Sequence, residues 1–275
     1  MCFVVKYRYM CGRLRTTGKK GGKSMYQLNN LFDNKNMTMI NQLGQYRVYE
    51  HQRDLSVSPF SAETEYFASQ MNVKKRQVLV ELNNTATKIQ AGAMQWTIGN
   101  VSMKTGVTAG NFLGKMVSAK VTGESMAKPE YTGQGFLMLE PTYKHIIMLD
   151  VAQWGSIVLQ DGLFLACDAT LQDKVVSRQN LSSAVLGGEG LFNLSLMGQG
   201  VAVLESPVPQ QELIQFNLQD DVVKIDGNMA IAWSGSLEFT VEKSTKSLIG
   251  SAVSGEGFVN VYRGTGSILM APTDK

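Results

Sequence analysis

The hydrophobic residues of this 275-residue chain alternate with polar ones along much of its length from residue 77 onward. Within the segment 191–196, for example, Phe192, Leu194 and Leu196 alternate with Asn193 and Ser195. Alternation with a period of two, carried by β-branched and aromatic residues and punctuated by glycine, is typical of short half-buried strands. The pattern predicts an all-β fold with a few short helices.

One glycine-anchored pattern occurs three times. Its Gly-x-Gly element begins at Gly133, Gly198 and Gly264, so that the copies lie 65 and 66 residues apart. A fixed self-similarity of this length indicates repeated structural units in one chain. We predict a single β domain over residues 77–275, built from repeats at 77–142, 143–208 and 209–275.

Three similar units that each bury a face against the next favour closed packing, because an open array exposes two end faces and needs atypical caps. We therefore expect a β-prism-like structure with a pseudo-threefold axis. Asp161-Gly162 and Asp226-Gly227, 65 residues apart, predict hairpin turns. Ala91-Gly92 is their weaker counterpart, and the Gly-x-Gly glycines are interpreted as further turns between strands.

Residues 25–76 predict an N-terminal arm with a strand at Gln45–Glu50 and a short helix at 61–72. Ser61 is a candidate helix cap, with acidic residues in the first turn behind it. We expect Tyr66 or Phe67, together with Met71, to form the apolar side of this helix.

Residues 1–24 carry seven basic residues and no acidic residue, although the whole chain has a net charge of only +3. Without these seven, 19 basic and 23 acidic residues remain, a net charge of −4. We expect a disordered basic tail, and the acidic remainder argues against a nucleic-acid-binding core. Gly18–Ser24 resembles a phosphate-binding loop, but Thr17 occupies the position of its first glycine.

Cysteine and histidine are scarce. Cys2, Cys11 and Cys167 form no paired framework, and only His51 and His145 are present. Such usage fits a reducing compartment and argues against a secreted disulfide scaffold or a zinc site. The apolar runs are far shorter than the ~20 residues that span a bilayer. We expect a cytoplasmic protein without a transmembrane segment.

Several motifs together resemble a known family. They are Gly188–Phe192, Leu204–Pro209, Asp226–Trp233 and Gly255–Gly257. In this order they are similar to the altered inheritance of mitochondria protein 24 family, over about residues 77–272. The resemblance implies a triplicated, shortened double-stranded β-helix, similar to subunits of the trp RNA-binding attenuation protein. It implies no catalytic residues, and the mitochondrial relative is associated with inner-membrane organisation.

The repeated Gly-Glu elements place Glu124, Glu189 and Glu256 at equivalent positions. Three carboxylates that converge on the axis would bind a hard cation, which is the candidate metal site. The alternative is that each glutamate accepts hydrogen bonds from the turn backbone or faces water, as many clustered carboxylates do. Cys167 is interpreted as a buried core residue. The tryptophans, Trp96, Trp154 and Trp233, are interpreted as core anchors.

These observations predict a non-enzymatic β-scaffold that acts through assembly or binding, without a cofactor, and a homo-oligomer is compatible with them. One alternative is a ring that binds RNA or a small molecule, by analogy with the attenuation protein, although fold analogy is a weak warrant for function. A second alternative is a metal-binding protein or enzyme that uses the three repeated glutamates.

Overall fold

The computed structural model describes residues 19–20, 23–24, 26–105, 128–177, 192–243 and 258–273. Within these residues the chain forms seventeen β-strands, one α-helix and two 3₁₀ turns, at Val151–Trp154 and Gln210–Glu212. The all-β fold class predicted from the alternating pattern is confirmed.

The N-terminal arm contains four strands and the helix. They are β1 (Lys19–Lys20), β2 (Lys23–Ser24), β3 (Met37–Leu43), β4 (Tyr46–His51) and α1 (Ala62–Gln70). The predicted strand at 45–50 therefore exists, and β3, which the sequence analysis missed, pairs with it. Strands β1 and β2 pair with each other, so the glycine-lysine segment does not lead into a helix as a phosphate-binding loop does.

The remaining strands all lie within the three predicted repeats. They are β5 (Arg76–Ile89), β6 (Met94–Lys104), β7 (Glu130–Leu139), β8 (His145–Asp150), β9 (Ser156–Leu159), β10 (Phe164–Asp168), β11 (Gln172–Ser177), β12 (Phe192–Met197), β13 (Val201–Ser206), β14 (Ile214–Asp226), β15 (Ala230–Ser234), β16 (Glu238–Lys243) and β17 (Phe258–Met270).

The strands of each repeat follow three lines, which we call a, b and c in chain order. Line a is β5, then β8 with β9, then β14. Line b is β6, then β10 with β11, then β15 with β16; line c is β7, then β12 with β13, then β17. In every repeat line c pairs with both a and b, which gives the order a–c–b. The pseudo-threefold axis and the prism outline stay predictions.

The second repeat bridges two large sheets. One sheet has the order β3-β4-β5-β10-β13-β8, with β7 on β5 and β6 on β7. The other has the order β11-β12-β9-β15-β17-β14, with β16 on β17. Because each line of the second repeat is broken in the middle, half of its strands extend the sheet of the first repeat and half extend that of the third.

Hydrophobic clusters separate the repeats. Sixteen buried residues, including Val80 and Val203, fill the space between the first and second repeats. A second cluster of sixteen, including Leu159 and Leu269, lies between the second and third. A smaller cluster around Trp233 lies mainly within the third repeat. Burial of these apolar side chains is the main force that holds successive repeats together.

The turns predicted at Ala91-Gly92, Asp161-Gly162 and Asp226-Gly227 are present, but the prediction that they close hairpins is wrong. The strands on the two sides of each turn do not pair with each other; both pair with line c. Each turn is therefore a corner at which the chain leaves one side of line c and continues on the other.

The interpretation of the Gly-x-Gly glycines as turns is also wrong for the first and third repeats. Gly133 and Gly135 lie inside β7, where line c crosses close to line b. A Cβ atom on Gly135 would lie 2.0 Å from the carbonyl oxygen of Ile98. Its φ of 156° is also outside the range that other residues readily adopt. Close approach of two backbones therefore requires the glycine at 135, whereas at the equivalent Gly266 the crowding comes from side chains, with the Cβ atom of Ser234 2.8 Å away.

The helix prediction is confirmed in position and wrong in packing. Ser61 precedes α1, but its side chain makes no capping bond to the helix and donates instead to the carbonyl oxygen of Ser58, 3.3 Å away. The side chains expected to pack inward, Tyr66, Phe67 and Met71, are 60–78% exposed. The sequence periodicity could not show that, in the described part of the chain, no other element covers this helix.

A buried arginine ties the arm to the β domain. Arg76 is 1% exposed; its Nε atom donates to Glu50 at 3.1 Å, and its Nη2 atom lies 2.9 Å from the same carboxylate oxygen. Its remaining donors reach the carbonyl oxygens of Asn72, Lys74 and Tyr143 and the Asn72 side chain. One guanidinium thus links β4, β5 and the chain around them, and it shares the Glu50 carboxylate with Lys74, whose Nζ atom lies 3.2 Å from the other oxygen.

We expect Arg76→Ala to lower the free energy of unfolding by about 3 kcal/mol, because it removes the buried partner of the Glu50 carboxylate and leaves only Lys74 to pair with it. Urea unfolding followed by circular dichroism measures the change. Arg263→Ala is the matched control: its ion pair with Glu242 is more than a third exposed, so the loss should stay within about 1 kcal/mol. Equal losses in the two variants would contradict this role of Arg76.

Candidate assembly interface

Consecutive repeats are joined by a short antiparallel ladder in which the end of line a pairs with the start of line b in the next repeat. Between the first and second repeats the partners are Ile89 and Ala166, Lys88 and Cys167, and Thr87 and Asp168. Between the second and third they are Leu159 and Ala232, Val158 and Trp233, and Ile157 and Ser234. The two joints pair equivalent strands of their repeats in the same register.

A β-bulge marks the start of line b in every repeat and fixes which residues are equivalent. The bulged residues are Gln95 in β6, Leu165 in β10 and Ile231 in β15. At each joint the carbonyl oxygen of the bulged residue accepts a bond from the preceding repeat. Gln90 donates its backbone N–H to Leu165 at 2.8 Å, and Gln160 donates to Ile231 at 3.0 Å.

Two edges that correspond to these joints have no partner strand in the described parts of the chain. Strand β6, which begins line b of the first repeat, pairs only with β7. Strand β14, whose end completes line a of the third repeat, pairs only with β17. Other strands are edges too, but their counterparts in the other repeats are mostly edges as well. In the described parts of the chain, only the start of β6 and the end of β14 lack a partner strand although the equivalent strand segments of the other two repeats are paired.

The third repeat also presents an incompletely covered apolar cluster. Trp233, Phe239 and Tyr262 pack together, with ring centroids 5.1–5.4 Å apart. Seven residues of this cluster are buried, against sixteen in each of the clusters between repeats, and Phe216, Leu218 and Val223 are only partly buried. Within the described parts of the chain, the apolar face of this cluster is therefore incompletely covered beside the unpaired edge of β14.

The N-terminal arm covers the face of the first repeat that points away from the second repeat. Leu79, Phe136 and Met138 there pack with the arm, whose contacting residues are Tyr26, Leu28, Leu31, Phe32 and Met37. Trp96 and Ile98 of β6 are partly buried in the same cluster, but Gln95 and Thr97 are exposed. The arm thus lies on the face of the sheet and leaves the backbone edge of β6 accessible.

Polar side chains complete the joints within the chain. Asp168 accepts the backbone N–H of Val201 at 2.8 Å, and its other oxygen accepts Gln45 of the arm at 2.7 Å. At the equivalent place in the third repeat, Ser234 accepts the backbone N–H of Ser267 at 2.9 Å. Burial, and secondarily the charge of Asp168, raises the pKa of Tyr46 well above its usual value, so Tyr46 stays neutral.

An ion cluster lies beside the first joint. Lys88 donates to Asp173 at 2.7 Å, and Lys128 lies 3.7 Å from the same carboxylate and 5.3 Å from the ring centre of Phe164. Burial raises the pKa of Asp173, but the hydrogen bond from Lys88 and the two lysine charges outweigh it, so the net shift is downward. The cluster fixes the position of line a where it meets the second repeat.

The three candidate metal ligands, Glu124, Glu189 and Glu256, lie outside the described residues. Among the residues that the structure does describe, no group of three or more His, Cys, Asp and Glu side chains could hold a metal ion. His51 contacts Gln77 at 2.8 Å across β4 and β5, and His145 begins β8.

The predicted core role agrees with the burial of Cys167 and of one of the three tryptophans. Trp233 and Cys167 are 2% and 0% exposed, as a core role requires, whereas Trp96 and Trp154 are only partly buried. The sequence analysis did not single out the residues of the two unpaired edges. A signal was available: Gln95 is polar where the equivalent bulged residues, Leu165 and Ile231, are apolar and buried.

A partly open apolar cavity of about 270 Å³ adjoins the start of β6. Ile89, Met94, Met103 and Tyr131 contribute to its wall. Because Met94 belongs both to this wall and to β6, the cavity extends the apolar surface beside the unpaired edge.

No helix among the described residues is long and apolar enough to cross a membrane.

Comparison with known proteins places the chain among relatives of the same fold. The profile of the family described as Mitochondrial biogenesis AIM24 matches residues 69–273. An uncharacterized protein of Streptococcus pyogenes serotype M6 is 33% identical over 191 residues, which cover 66% of this chain and 75% of that protein. An X-ray crystal structure of a Streptococcus pyogenes protein is similar with a TM-score of 0.55 and 27% identity, covering 74% of this chain and 90% of that one.

The buried position of Cys167 predicts an unreactive thiol. Burial, as the largest cause, raises its pKa to about 12, so almost no thiolate exists at pH 8. In a Cys2→Ser, Cys11→Ser variant, we expect a thiol-specific reagent to label Cys167 only after addition of denaturant. Labelling of the folded variant as fast as of a small free thiol would contradict the described burial.

Proposed function

The chain belongs to the Mitochondrial biogenesis AIM24 family, and we propose that it is a non-enzymatic β-scaffold that acts by associating with further copies of itself. The observation that supports this proposal most directly is the mismatch between the repeats. Two joints are formed within the chain, and the edges that would form a third, on β6 and β14, have no partner among the described strands.

Unpaired strand edges favour association because their N–H and C=O groups can pair with another strand. Proteins usually protect such edges with proline, with charges or with a covering element. Strand β6 contains no proline and a single charged residue, Lys104. The edge of β14 lies beside the open apolar face of the third repeat, so that association would bury apolar surface as well as pair backbone groups.

The buried polar groups are used to hold the fold together, which supports a scaffold role. Arg76 binds the arm, Asp168 binds the backbone of line c, and Thr87 joins Tyr46 to the carbonyl oxygen of Cys167 at 2.8 and 3.0 Å. In a catalytic site, such groups would be aimed at a cleft instead. The described polar networks point into the joints between strands.

Light scattering after size-exclusion chromatography tests the proposal on the full chain. We expect a mass that is a multiple of the 30.2 kDa of one chain and falls on dilution if exchange is fast. The association should persist at high salt, because backbone pairing and apolar burial are less sensitive to screening than charge contacts.

A chain that stays monomeric at every concentration, with circular dichroism showing a folded β protein, would contradict the proposal. Removal of residues 1–24 serves as the matched control, because none of the residues that form the two joints belongs to this segment. If only the full chain associates and salt dissolves the assembly, the tail and not the β domain is responsible.

A further inference from the structure

We infer that copies of the chain join end to end, with the end of β14 in one copy pairing antiparallel with the start of β6 in the next. This inference rests on the proposed self-association and specifies its partner, surface and register. Trp96, Thr97 and Ile98 of one copy lie opposite Lys224, Val223 and Val222 of its neighbour.

The register follows from the two joints that the chain already contains. In both joints, the three residues that follow the bulge pair with three residues of line a. The last of these line-a residues lies two positions before the first residue of the turn, which is Ala91 or Asp161. The residues after the bulge at Gln95 are Trp96, Thr97 and Ile98. The corresponding residues before Asp226 end at Lys224. Transfer of the same spacing sets Thr97 opposite Val223.

The backbone bonds of the joint are set by the same equivalence. The carbonyl oxygens of Leu165 and Ile231 each accept an N–H from the residue before the turn of the preceding repeat, Gln90 or Gln160. Gln95 and Ile225 occupy these two positions at the open ends. The N–H of Ile225 in one copy therefore donates to the carbonyl oxygen of Gln95 in the next.

Charge favours this pairing over pairing between identical edges. Strand β6 has one basic residue and no acidic residue, whereas β14 contains Asp220, Asp221 and Asp226 with a single Lys224. Two β14 edges placed side by side would bring like charges together, which is destabilising between neighbouring strands. Pairing of β14 with β6 avoids that repulsion.

The two surfaces differ, so the contact is head-to-tail. A linear series of copies has one unpaired β6 edge at one end and one unpaired β14 edge at the other. A contact of this type forms a ring if the rotation between copies closes, and an open filament if it does not. The sheet that contains β14 in one copy would continue into the sheet that contains β6 in the next.

Cysteine cross-linking between two differently tagged chains tests the register. In the Cys2→Ser, Cys11→Ser background, one chain carries Thr97→Cys and the co-expressed chain carries Val223→Cys, so only a contact between chains can form the disulfide. Residues of a hydrogen-bonded antiparallel pair have Cα atoms about 5.5 Å apart, which suits a disulfide. We expect a covalent dimer that contains both tags after mild oxidation.

Asp221→Cys in place of Val223→Cys is the matched control. It lies two residues away on the same strand, and such diagonal neighbours are about 7–8 Å apart, beyond ordinary disulfide geometry. We expect the yield of cross-linked dimer to fall at least about tenfold for this pair. Ile98→Cys with Val222→Cys provides a second in-register pair on the opposite face, should Val223→Cys disturb folding.

The outcomes separate this inference from the proposed function. Mixed dimers from both in-register pairs and few from the control support the inference. Assembly without these cross-links, or cross-linking of Thr97→Cys chains to one another, overturns the β6–β14 joint but leaves self-association standing. A monomeric chain overturns both. Equal cross-linking in the control pair overturns the register.

Discussion

Backbone pairing between the end of line a and the bulged start of line b determines how the repeats are arranged. Each joint is only a few residues long, yet it sets the register between two repeats within one sheet and thereby the side chains that face each core cluster. A shift by one residue would turn every side chain of the strand to the opposite face. The bulge prevents that shift, because its carbonyl oxygen needs one particular N–H partner. The joints within the chain and the open edges at its ends are therefore aspects of one constraint.

Much of the fold could be predicted from the sequence, for identifiable reasons. Period-two alternation reports burial on one face, so the strands around Leu194 and Val261 were recognisable. The glycine spacing indicated repeats, and the three ranges share one strand order. What the pattern could not show is which strands pair. An Asp-Gly turn looks the same in a hairpin and at a corner, and a glycine needed for close approach, such as Gly135, looks like a turn glycine.

The candidate site was less accessible to prediction for a related physical reason. An edge is defined by backbone groups that lack a partner, and those groups are the same in every residue. Only secondary signals, such as Gln95 at a position that is otherwise apolar, distinguish the open edge from the closed joints. A sequence shows reactive side chains more readily than unpaired backbone edges, and the candidate site predicted from it therefore consisted of Glu124, Glu189 and Glu256. Those residues lie outside the described part of the chain, so the cation hypothesis stays a prediction.

The central claim is that the open edges of β6 and β14 become paired when copies associate. Hydrogen–deuterium exchange of the full chain, compared between dilute and concentrated samples, measures this directly, because a paired amide exchanges slowly. The account predicts protection that grows with concentration in peptides covering 94–98 and 222–226, while those covering β16 at 238–243, an edge equivalent to β11, stay unchanged. Unchanged exchange at 94–98 and 222–226 in a sample that is demonstrably associated would contradict it.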